Sequence, residues 1–124
     1  MKRKEFKENL FATLNNPVDG MSYDEKMILV HSLLVDYEKD NEEKRDTSNK
    51  GGKWTDEELK IILSDAPTKE NCVKYARLFK RGYGGIEQIY RWAMTATKEM
   101  SEDRKNDSFI LQVKRIAKEL GIRG

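Results

Sequence analysis

The sequence predicts an all-α protein of 124 residues. Three observations carry that expectation. Apolar residues recur three and four positions apart in successive stretches, hydroxyl–carboxylate pairs with capping-box spacing precede two of them, and proline, glycine or apolar-free segments separate them.

The chain begins with a short helix from Lys2 to Leu14, in which Phe6, Leu10, Phe11 and Leu14 share one side. Asn15, Asn16, Pro17 and Gly20 make the turn that follows. Ser22 and Glu25 then have the spacing at which a hydroxyl and a carboxylate satisfy each other's free backbone N–H groups, so a second helix starts there. Met27, Val30, Leu33, Leu34 and Tyr37 give it an apolar stripe that Ile28 and Leu29 broaden. Residues 1–40 therefore read as an N-terminal helical hairpin whose apolar faces exceed what either helix covers. They are left to pack on the rest of the chain or, as a homodimer, on a second copy. Residues 41–52 contain no apolar side chain and end in Gly51 and Gly52, which reads as a mobile linker.

Residues 53–100 are the centre of the chain. Thr55 and Glu58 repeat the capping box, and Asp56, Glu57 and Glu58 suit the partial positive charge of a helix start. Leu59, Ile62 and Leu63 fall on one face before Pro67 ends the helix. Thr68 caps the next, whose apolar face is Cys72, Tyr75, Ala76 and Phe79. Gly82, Gly84 and Gly85 are expected to supply the freedom for a tight turn. A third helix with Ile86, Ile89, Tyr90 and Ala93 on its apolar stripe then runs toward Met100. Residues 101–124 give an apolar-free stretch and a closing helix, capped by Asp107 or Ser108 and buried through Phe109, Ile110, Val113, Ile116, Ala117 and Leu120. Gly121 stands where a left-handed residue commonly ends a helix.

Trp54-Thr55-Asp56-Glu57-Glu58 at one end of this central stretch and Ile86-Glu87-Gln88-Ile89-Tyr90-Arg91-Trp92 at the other resemble a Myb/SANT-like helix-turn-helix. The resemblance implies a trihelical unit with a miniature aromatic core. Trp54 and Trp92 match the outer aromatic pair, and Cys72 or Val73 stands where the middle aromatic usually lies. It also implies binding of double-stranded DNA or, as in SANT-like domains, of another protein.

Charge supports the first implication. The net charge is only +2, but from residue 69 to 98 the bases Lys69, Lys74, Arg77, Lys80, Arg81, Arg91 and Lys98 face only Glu70 and Glu87. A phosphate backbone is attracted by such a patch. On the third helix, Gln88 suits adenine, Arg91 guanine and Glu87 cytosine, and Thr95 completes the candidate base-reading set. Lys74, Arg77, Lys80, Arg81, Tyr83 and Lys98 are the candidate phosphate contacts. Catalysis is not expected, because one His31 and one Cys72 do not make a nucleophile, base and orienting group. No phosphate-cradling loop or zinc spacing occurs, so neither metal nor cofactor is expected. The single cysteine and the absence of a long apolar run lead to the expectation of a cytoplasmic protein, with no membrane span. It would lie on the nucleoid in a bacterium or phage-infected cell, or in the nucleus of a eukaryote. The expected role is transcriptional regulation. A non-catalytic protein-interaction module, including a small phage-type inhibitor of a host protein, is the alternative.

Overall fold

Helix starts fall where side chains can take up free backbone N–H groups. In the computed structural model, which describes residues 1–122, the helices are α1 (Arg3–Leu14), α2 (Tyr23–Asp40), α3 (Asp56–Leu63), α4 (Lys69–Phe79), α5 (Tyr83–Met94), α6 (Glu102–Lys105) and α7 (Ser108–Glu119). The described residues form no strand, so the protein is all-α. Both capping boxes are present: Ser22 with Glu25 before α2, and Thr55 with Glu58 before α3. Thr68 caps α4 through the Asn71 N–H, and Asp107 caps α7 through the Ile110 N–H.

The chain divides into two units, Met1–Asp36 and Tyr37–Gly124, so the division falls inside α2. In the first unit, the expected hairpin is not a packed one. No residue of α1 or α2 is buried, and the two helices do not pair along their lengths. What joins them is polar: the Lys26 ammonium donates to the carbonyls of Leu14 and Asn16 at 2.7 and 3.3 Å.

The second unit holds the core. Leu59 and Ile62 of α3, Ile86 and Ile89 of α5, and Val113 and Ile116 of α7 have no exposed surface, and Ala76 of α4 joins them. Helix α7 packs on both α3 and α5, so the central stretch is not a self-contained trihelical unit. A three-helix core of this size is marginal alone, and a fourth amphipathic helix supplies the missing apolar cover. Polar contacts reinforce the α3–α7 contact. Asp56 accepts from Arg115 at 2.9 and 3.0 Å and from the Gln112 amide at 2.9 Å, while Gln112 also donates to the Trp54 carbonyl.

Four sequence expectations need correction. Residues 41–52 are not a free linker. A 3-10 turn at Glu42–Lys44 opens a segment tied to α4 and α5, in which Glu42 accepts from the Tyr83 N–H, Arg45 donates to the Ala76 carbonyl, and Asn49 donates to the Phe79 and Lys80 carbonyls. The docking is entirely polar, so apolar periodicity could not reveal it. Second, the α4–α5 turn is not made by glycines. Gly84 and Gly85 lie inside the first turn of α5, and the left-handed residue is Lys80, with φ 57°. Third, α5 stops at Met94, and Thr97–Glu99 is a separate 3-10 turn. Fourth, Leu120 is exposed, beyond the buried stripe of α7.

Lys80 closes α4 with a Schellman motif. Its own N–H bonds to the Arg77 carbonyl, and the Arg81 N–H returns to Ala76. The same motif closes α7, where Gly121, at φ 79°, and Ile122 bond back to Lys118 and Ala117. A left-handed conformation costs a residue with a Cβ roughly 1 kcal/mol, which glycine avoids. Lys80→Gly should therefore raise unfolding stability by about 1 kcal/mol, read from urea titrations monitored by tryptophan fluorescence. Acid should weaken the α3–α7 contact. The hydrogen bonds from Arg115 and Gln112 hold the Asp56 carboxyl below the usual carboxylate range. A depressed folded-state pKa gives stability above about pH 4 that is lost as pH falls further. Asp56→Asn should flatten this acid limb of the stability–pH curve.

Candidate nucleic-acid interface

Helix α5 has two faces because its apolar residues recur at helical spacing. Ile86, Ile89, Tyr90 and Ala93 point into the core, and the Tyr90 hydroxyl donates to the Ile62 carbonyl at 2.7 Å. On the outside, Gly84, Gln88, Arg91 and Met94 are exposed and Glu87 is half-exposed. The connection from α4 to α5 is three residues, Lys80, Arg81 and Gly82.

The four expected base-reading residues are not equivalent. Gln88 and Arg91 are exposed on the outer face. Glu87 and Arg91 pair with each other at 2.8 Å, one helical turn apart. Thr95 is turned back on its own helix, its hydroxyl donating to the Arg91 carbonyl, and its carbonyl accepts from Lys114. It is half-buried at the helix end rather than part of the reading face.

The expected phosphate contacts separate more sharply. Lys74, Arg77 and Lys80 are exposed, and each has a carboxylate partner: Asp65 at 3.1 Å, Glu38 at 2.5 Å and Asp46 at 3.6 Å. Lys98 is exposed in the 3-10 turn after α5. Tyr83 is half-buried at the first position of α5, with the Lys39 ammonium 4.6 Å from its ring centre. Arg81 is not a surface group at all, being only 5% exposed.

Arg81 is instead the junction of the second unit. As the residue after the left-handed Lys80, it is turned back toward the helix, and its guanidinium donates to the Gly52 and Lys53 carbonyls at 2.5 and 2.7 Å. The guanidinium carbon sits 3.9 Å from the centre of the Trp54 ring. Its Nε has no acceptor among the described residues. A Cβ on Gly52 would crowd the Asn49 carbonyl at 3.2 Å and would touch the Arg81 guanidinium at 3.4 Å. A cleft of about 650 Å³ opens beside the junction, lined by Lys53, Trp54, Arg81, Gln88, Phe109 and Gln112 among others. Charge-neutral periodicity could not show that this arginine is buried, since sequence gives the residue type and not the direction of the turn before it.

The aromatic arrangement differs from expectation in the same region. Trp54 meets Phe79 edge-on at 5.9 Å, and Phe79 stacks on Tyr75 at 6.2 Å. The aromatic that α4 contributes beside Trp54 is thus Phe79, not a residue at Cys72 or Val73. Trp92 has the Arg104 guanidinium over its ring at 4.8 Å. Cys72 is buried, which pushes its thiol above the usual range. His31 is exposed on α2. Among the described residues, no three His, Cys, Asp or Glu side chains are grouped to hold a metal ion, and no helix is long and apolar enough to cross a membrane.

Residues 48–124 match the family model described as "Uncharacterised protein PM1205 C-terminal domain". The chain belongs to that family. It is also 44% identical over 124 residues to "Uncharacterized protein PM1205" of Pasteurella multocida (strain Pm70), a match covering 99% of each chain. The likeness to PM1205 therefore extends through the N-terminal unit, while the family model starts between the Glu42–Lys44 turn and Trp54. No solved structure matches the chain.

The junction yields a direct test. Arg81→Ala should lower unfolding stability by about 2–4 kcal/mol, from two charge-assisted hydrogen bonds and a ring contact. Denaturant titration would show this. Unchanged stability would mean that Arg81 does not hold the residues before Trp54.

Proposed function

We propose that this PM1205-family protein is a non-catalytic double-stranded DNA-binding protein, with α4 and α5 as a helix-turn-helix and α5 entering the major groove. The observation that carries this reading is the three-residue α4–α5 connection, followed by a helix with one buried face and one exposed face bearing Gln88 and Arg91. Short glycine-containing turns between two helices are typical of such units. A helix fits the major groove, where an arginine can pair with guanine and a glutamine with adenine in bidentate fashion. A role in transcriptional regulation would follow from sequence-specific binding.

The ion pairs on this surface are compatible with the reading. Exposed pairs are worth roughly 0–1 kcal/mol, so Lys74, Arg77 and Lys80 can exchange carboxylates for phosphates. Arg91 must leave Glu87 to reach a base. Lys98 extends the basic edge beyond the end of α5.

A second reading is favoured by the same pairs. Because Lys74, Arg77, Lys80 and Arg91 each face an acid, the positive field of this surface is weaker than its count of bases suggests. A protein-interaction module needs no such field. The two readings separate on salt, since each phosphate neutralised steepens the loss of affinity as salt rises.

Selection of bound duplexes from a random pool at two salt concentrations tests the proposal. A recovered consensus with steeply salt-dependent affinity is expected. No enrichment at either concentration would overturn DNA binding. On the selected duplex, Arg91→Ala should weaken binding by about 1–3 kcal/mol, with the preference relaxed at one base pair and unfolding stability unchanged.

A further inference from the structure

The first unit, Met1–Asp36, is chemically unfinished. Its 36 residues include no buried side chain. Chains below about 40 residues rarely fold alone without a metal, disulfides or a partner subunit. Phe6, Phe11, Tyr23, Ile28, Leu33 and Leu34 are each more than half exposed. Half-exposed side chains of this size leave on the order of 100 Å² each in water. Together they approach the roughly 800 Å² that each partner contributes to a standard interface.

The distribution of these residues says what kind of partner is needed. On α1 the apolar side chains Phe6, Leu10, Phe11 and Leu14 share one side. On α2 they do not: Leu34 continues the stripe of Met27 and Val30, while Ile28 and Leu33 project to either side of it. A helix that is apolar around most of its circumference must be covered from more than one direction. One α1 can cover only one side of α2. The charges point to the same segment as its own complement. Lys2, Arg3, Lys4 and Lys7 crowd the start of α1 against Glu5 and Glu8, whereas the part of α2 in this unit carries Asp24, Glu25 and Asp36 against Lys26.

We propose that the first unit is a homodimerisation element. Two copies associate about a two-fold axis into a four-helix bundle, in which the faces of α1 and α2 left uncovered within one chain are covered by those of the partner. Such an interface uses the same patch on both subunits, and an antiparallel bundle buries the a/d-type positions of all four helices. This does not depend on what the second unit binds.

Sedimentation equilibrium of the full chain from about 1 to 100 μM tests the proposal. The wild type should have the dimer mass across most of this range. Phe11→Glu and Leu34→Lys should each weaken association at least tenfold, with an unchanged thermal transition for the tryptophan-bearing second unit. The charge reversals Lys4→Glu and Lys7→Glu together, which touch only exposed groups, should weaken it about fivefold and more so at low salt. A wild type that is monomeric at 100 μM would overturn the proposal, including the case in which the first unit folds back on its own chain. So would a dimer that survives Phe11→Glu and Leu34→Lys unchanged.

Discussion

The arrangement of the second unit depends on a buried guanidinium. Arg81 follows a left-handed lysine, so the chain doubles back after α4 and carries this side chain inward instead of toward solvent. There it holds two carbonyls of the segment before α3 and lies against Trp54, whose ring packs on Phe79 of α4. One side chain thus ties the entry to α3, the exit from α4 and the start of α5. A buried cation is costly unless its donors are satisfied. Two carbonyls and an aromatic face offset part of that cost here without a carboxylate, while the Nε donor has no acceptor among the described residues.

The polar segment before α3 belongs to the same construction. Glu42 takes the Tyr83 N–H, one of the unpaired donors at the start of α5, and Asn49 and Arg45 take carbonyls at the end of α4. These are the groups a helix cannot satisfy by itself. Both ends of the α4–α5 connection are therefore capped by residues 42–49, and the direction of α5 relative to α4 is held from outside the core. Bracing of this kind orders the outer face of α5 in the free protein, so that no ordering cost is left to any later contact.

Much of this was legible in the sequence. The capping boxes at Ser22–Glu25 and Thr55–Glu58, the Thr68 and Asp107 caps and the Gly121 stop follow local rules and occur where those rules put them. So do the buried stripes of α3, α4, α5 and α7, because burial enforces the helical period. What was not legible depends on long-range polar contacts. Nothing local distinguishes Arg81, which is buried, from Lys80, which is exposed, and the acid partners of Lys74, Arg77 and Lys80 lie 9, 39 and 34 positions away. The positive patch was therefore visible as composition, while its neutralisation was not. Thr95 was not legible for another reason: its backbone turns to an extended conformation and ends α5 where the period alone would have continued it.

Cys72 lies on the buried side of α4, in the same cluster as Tyr75 and Ile86. As the protein's lone thiol, it can be alkylated only when α4 lifts from its neighbours or the unit opens altogether. Its labelling kinetics are thus a built-in clock for how often this half of the molecule breathes, and a bound partner that clamps α4 to α5 would slow that clock without touching the sulfur.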